Sequence, residues 1–145
     1  MRGTVANIVA DGGQAIAVKA DVTSIDDMRA LAAAAVARFG RIDVMVNNAG
    51  VMPLAFFSDH DAALASWHRC IDINFKGVLN GMVAVYDQMI SQGRGHLINV
   101  SSIYGNFPVA GAGVYGATKA AVNVLSESLR VESRGRIKVT TVKPT

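Results

Sequence analysis

Apolar residues in this chain gather into short runs rich in β-branched side chains, at 15–22, 42–46, 97–100 and 137–142. The runs are nearly continuous rather than alternating, the pattern of strands buried on both faces of a parallel sheet. Between them, apolar positions recur at helical spacing. Ser24 is suited to cap a helix, with Asp26 and Asp27 in its first turn. Met28, Leu31, Ala35 and Phe39 follow on one face, and Gly40 ends the pattern. A second helix is predicted over about 62–91, stopped by Gly93 and Gly95, and a third over about 114–133, stopped by Gly135. Residues 5–10 read as the last turns of a helix closed by Gly12 and Gly13. Strand and helix alternate throughout, which predicts an α/β fold built on a doubly wound parallel sheet. The chain begins inside an element and ends as the fourth strand finishes, so a piece of a longer domain is expected.

The composition supports a packed domain. Of 145 residues, 51% are hydrophobic and 17% charged, which argues against a disordered or tail-like segment. The net charge of +3 includes a basic group near the C-terminus: Arg130, Arg134, Arg136, Lys138 and Lys143. No aromatics interleave with it as a strand-binding platform needs, so it reads as a solvated helix end and no nucleic-acid partner is expected. Cys70 is the sole cysteine and cannot form an intrachain disulfide; it reads as a small buried hydrophobe. His60, His68 and His96 show no metal-ligand pattern, and no metal is expected. Trp67 and the methionines read as packing. The N-terminal stretch lacks an apolar core of signal-peptide length, and no apolar run is long enough to cross a bilayer. The expectation is a soluble cytoplasmic protein without a membrane partner.

The stretch GAGVYGATK, residues 111–119, carries two competing patterns. Gly111, Gly113 and Gly116 spell the glycine spacing that cradles a dinucleotide pyrophosphate. That motif must follow a strand directly, yet the preceding strand ends about ten residues earlier. An acidic residue should also close the next strand, and Val142-Lys143-Pro144 stands there. The alternative pattern is Tyr115 and Lys119, four apart and so on one helical face. An ammonium beside a phenol favours the phenolate, which suits proton transfer.

Four separated signatures then agree in order: NNAG at 47–50, DINFKG at 72–77, INVSSIYG at 98–105, and the Tyr115/Lys119 pair. With these the chain resembles the short-chain dehydrogenase/reductase family over essentially its whole length. The family serine stands thirteen residues before its tyrosine, a spacing that Ser102 meets and Ser101 does not. The resemblance implies a partial Rossmann-like, three-layer α/β/α domain over residues 1–145. It implies hydride transfer between NADP or NAD and a small carbonyl or alcohol substrate, with family habit favouring NADP. Tyr115 would exchange the proton, Ser102 would hold the substrate oxygen, and Lys119 would act on Tyr115 and on the nicotinamide ribose. Asn74 would position a proton-relay water. Asn48, Ala49 and Gly50 would line the cofactor, and Pro144 would lie beside the nicotinamide. Asp21, with Val22, resembles the aspartate that contacts adenine, and it reads equally well as a turn residue before Thr23 and Ser24.

Other features depart from the family pattern. The first strand and its glycine-rich turn have no counterpart, nor has the segment beyond Pro144. Thr145 stands where the family usually has glycine. The 145 residues alone are therefore expected to be inactive or nearly so, and to form a homodimer or homotetramer when complete. Two other functions remain open: a non-catalytic member serving as a binding or oligomerisation module, and a sugar-nucleotide epimerase, which NNAG fits poorly.

Overall fold

A computed structural model describes residues 2–145. It opens with helix α1 (Arg2–Ala10), followed by α2 (Ile25–Phe39) and strand β1 (Val44–Asn47). A continuous helical stretch comes next: α3 (His60–Ile71), a π turn (Asp72–Lys76) and α4 (Gly77–Ser91). Strand β2 (His96–Val100), helix α5 (Gly113–Glu132) and strand β3 (Lys138–Val142) complete the order. The three strands are parallel in the order β1-β2-β3, with Val46 beside Ile98 and Ile98 beside Thr140.

Local chemistry explains the ends of α2. The Ser24 hydroxyl accepts from the Asp27 N–H at 3.2 Å, a cap of about 1 kcal/mol. Gly40 takes a left-handed conformation (φ 82°) and its N–H returns to the Val36 carbonyl at 2.7 Å. The core forms where α4 and α5 cover one face of the sheet. Val78, Val85 and Met89 of α4 meet Leu97 of β2, Val122 of α5 and Ile137. Each fully buried side chain of this size contributes roughly 1.5–3 kcal/mol.

Burial on both faces holds for one face only. On the other, Val44 and Val46 remain about half exposed, at 50% and 52%. The run at 15–22 forms no strand, a correction to the sequence pattern. A strand exists by pairing, and a cavity of about 300 Å³ separates Val18, Ala20 and Val22 from Met45, Val46 and Asn47. The end of this run is held instead by Asn80, whose Nδ2 donates to the Val22 carbonyl at 2.9 Å. Trp67 is buried against Phe57, with ring centroids 5.3 Å apart. No helix among the described residues is long and apolar enough to cross a membrane.

Among the described residues, strand β1 pairs on one side only and presents a free edge, a template for pairing with another chain. The isolated chain is therefore expected to self-associate. Val46→Lys should shift its sedimentation profile toward monomer while leaving the fold intact, because the side chain is exposed and a lysine on an edge opposes pairing.

Candidate active site

The site lies at the C-terminal ends of all three strands, where open parallel sheets bind ligands. Three segments converge there: Asn48 to Met52 after β1, Ser101 to Tyr104 after β2, and Pro144 with Thr145 after β3. Together with Tyr115 and Lys119 of α5 they line an open cavity of about 450 Å³. The Ser101 N–H donates to the Val142 carbonyl at 2.8 Å, and the Ile103 N–H to the Pro144 carbonyl at 3.2 Å. These bonds extend the β2–β3 ladder into the loops and fix Ser102 between them.

Ser102 is buried, and its Oγ accepts from the Tyr104 N–H at 3.2 Å, capping a short turn at Ile103–Gly105. The hydroxyl proton is left to donate into the cavity. Tyr115 is half-buried in the first turn of α5, held edge-on by Tyr104 with ring centroids 6.3 Å apart. The Lys119 ammonium lies 5.7 Å from the Tyr115 ring centroid, within cation–π range. Lys119 is only 4% exposed, and its Nζ donates to the Val100 carbonyl at 2.8 Å. Burial pushes its ammonium below its ordinary value. The charged form is thus the disfavoured one in the fold, and the penalty is relieved as pH rises through the lowered value toward 10.5.

Asn74 sits in the π turn, fully buried. Its carboxamide closes on Val51: Oδ1 accepts from the Val51 N–H and Nδ2 donates to the Val51 carbonyl, both at 2.8 Å. Nδ2 also reaches Cys70 Sγ and Thr118 Oγ1, each at 3.3 Å. Thr118 Oγ1 in turn donates to the Tyr115 carbonyl at 2.7 Å. The side chain of Asn74 therefore anchors the loop after β1 rather than lining the cavity. Gly50 separates it from Lys119: a Cβ there would lie 3.4 Å from Asn74 Oδ1 and 3.6 Å from Lys119 Nζ.

Asn47 is buried and donates to Asn99 Oδ1 at 2.8 Å; Asn99 donates to Ser126 Oγ at 2.8 Å. This polar chain ties β1, β2 and α5 together beneath the site. Asn48 reaches both the main cavity and the neighbouring one beside Val22 and Ala49. Asp21 stands apart, lining a third cavity with His68, Arg69 and Asp72. It accepts from the Thr23 N–H at 2.9 Å and the Thr23 hydroxyl at 2.8 Å, and the backbone bond above all holds its carboxyl below the ordinary value. The sequence reading passed over Ser101, Thr118 and Val51. Ser101 failed the serine-to-tyrosine spacing, and the other two make contacts that no local pattern announces.

Of the glycines at 111, 113 and 116, the first serves a turn and the last a close approach. Gly111 turns the chain at φ 76°. Gly116 lets α5 approach the preceding loop, because a Cβ there would lie 2.8 Å from the Tyr104 carbonyl oxygen.

A family model described as short chain dehydrogenase matches residues 1–145. The chain belongs to the short-chain dehydrogenase family. It is 46% identical over 131 residues to an uncharacterized oxidoreductase, Lmo0432, of Listeria monocytogenes, covering 89% of this chain and 51% of that protein. It is 34% identical over 144 residues to the 2,5-dichloro-2,5-cyclohexadiene-1,4-diol dehydrogenase LinX of Sphingobium indicum, covering 99% and 57%. A metagenomic family member solved with NADP superposes with TM-score 0.89 at 37% identity, covering 99% of this chain and 65% of that one. A member from Burkholderia phymatum solved with NAD gives TM-score 0.90 at 30% identity, covering 97% and 50%. These likenesses make the fold Rossmann-like. The chain spans about half the length of the curated relatives it matches.

Gly50 places no side chain beside Lys119, and the Lys119 ammonium, with one N–H given to the Val100 carbonyl, keeps further donors that would suit the hydroxyls of a nicotinamide–ribose group. Cys70 is a buried free thiol beside Asn74 and Val51. Burial, above all, raises it from its ordinary value of 9.0 and it has no exposed surface. Iodoacetamide at pH 8 should therefore leave it unmodified in the native chain and label it fully in urea, as intact-mass spectrometry will read.

Proposed function

We propose that this chain carries the catalytic centre of an NAD(P)-dependent oxidoreductase that interconverts an alcohol and a carbonyl on a small-molecule substrate. The observation that carries this reading is the meeting of Ser102, Tyr115 and Lys119 in one cavity at the strand ends. In the oxidation direction, the Tyr115 phenolate takes the proton of the substrate hydroxyl. The Ser102 O–H donates to the substrate oxygen and holds it in place. The Lys119 ammonium places positive charge beside the Tyr115 ring. A nicotinamide cofactor, when bound, would supply the hydride acceptor. In reduction the same groups act in reverse, with the phenol giving its proton to the carbonyl oxygen. Asn48, Gly50, Lys119 and Pro144 would hold the nicotinamide end, and Val22 and Ala49 would lie toward the adenosine side.

The reading is tested in a graft in which this chain replaces the matched segment of LinX. A folded graft that oxidises the LinX diol with NAD or NADP supports it. A folded but inert graft favours the non-catalytic alternative. Association through the α4/α5 face belongs to the same proposal, because Leu79, Val83 and Leu125 line an apolar groove there. Sedimentation velocity of the graft, monomeric or not, tests that part.

A further inference from the structure

We propose that Ser101, the serine the family spacing passes over, is a positioning residue that holds Lys119 in the site. This rests on the reading of Lys119 as a working group. Ser101 is 3% exposed and its Oγ donates to the Lys119 carbonyl at 3.0 Å. One residue earlier, the Val100 carbonyl accepts from Lys119 Nζ at 2.8 Å. Two consecutive residues at the end of β2 thus grip one lysine at its backbone and at its tip. Lys119 lies inside α5, where its carbonyl already accepts a helical bond. The Ser101 bond is therefore not needed to satisfy that oxygen; its effect is to tie α5 to β2.

The tie matters because of what holds the ammonium. A buried ammonium requires close polar partners, and no salt bridge to Lys119 is found among the described residues. Its hydrogen-bond partner is a main-chain carbonyl, so its place depends on how closely α5 sits against β2. A lysine stem has four rotatable bonds and wanders unless both ends are fixed. Ser101 is itself fixed from the far side, since its N–H donates to the Val142 carbonyl at 2.8 Å. A line of hydrogen bonds thus runs from β3 through Ser101 to Lys119.

The test is competitive acetylation of the native chain with acetic anhydride, read lysine by lysine by mass spectrometry. Exposed Lys19 and Lys138 serve as internal references. Lys119 should react far more slowly than either. Ser101→Ala should raise its relative rate about fivefold, the factor carried by an ordinary hydrogen bond. Val122→Ala, which opens a cavity in the same helix from a fully buried position, separates positioning from loss of stability. It should lower the melting temperature at least as much while leaving Lys119 protected. An unchanged Lys119 rate in Ser101→Ala, or an equal rise in Val122→Ala, overturns the proposal. Acetylation needs no turnover, so this result stands apart from the fate of the LinX graft.

Discussion

Tyr115→Phe, made in the LinX graft, should lower kcat by about 10²–10⁴-fold, the usual contribution of a positioned proton-transfer group, and leave cofactor affinity within about twofold of the parent. The substitution removes one oxygen and little else. The phenyl ring can keep its edge contact with Tyr104 and its place beside the Lys119 ammonium. The backbone bond from Thr118 Oγ1 to the Tyr115 carbonyl is independent of the side chain. A loss in kcat without a loss of cofactor binding therefore reports the missing proton carrier. Parental turnover in this variant would remove Tyr115 from the mechanism.

Gly105→Ala should be the more damaging change to structure, although it adds only one methyl group. A Cβ at Gly105 would stand 2.8 Å from the Lys119 carbonyl carbon and 2.9 Å from the Ala120 nitrogen. Both are main-chain atoms of α5, so no side chain can turn aside. Either the turn at Ile103–Gly105 or the helix must shift, and Ser102 sits on one while Lys119 sits on the other. Overpacking of this kind costs about 1–3 kcal/mol. A displacement of about 1 Å at the reacting groups costs about 10²-fold in rate. A thermal melt and kcat, measured together on the graft, check both effects. Unchanged values of both would show that the close approach of turn and helix is not needed.

Some of this architecture is legible in the sequence alone. Ser24 and Gly40 marked the ends of α2 because caps act through local hydrogen bonds and a left-handed turn. The Tyr115/Lys119 pair was readable because helical spacing alone puts both on one face. The run at 15–22 misled because strand propensity describes a segment while a strand is a relation between two. The π turn at Asp72–Lys76 was hidden inside an unbroken helical pattern, since one extra residue per turn barely disturbs apolar periodicity over five positions. Ser101, Thr118 and the closure of Asn74 on Val51 depend on how β2, α3 and α5 pack. Those contacts join residues from 18 to 44 positions apart. Asp21 reads in the sequence as an adenine contact or a turn residue, and its place in a cavity with His68 and Arg69 follows only from the position of α3.

The most direct measurement is the appearance of reduced nicotinamide when the folded LinX graft, carrying Ser102, Tyr115 and Lys119 intact, meets the LinX diol with NAD or with NADP. A competent catalytic centre in this chain gives turnover within about 10²-fold of intact LinX, the loss that misplacement by about 1 Å brings. A graft that melts cooperatively, binds the cofactor and still yields no reduced nicotinamide contradicts it.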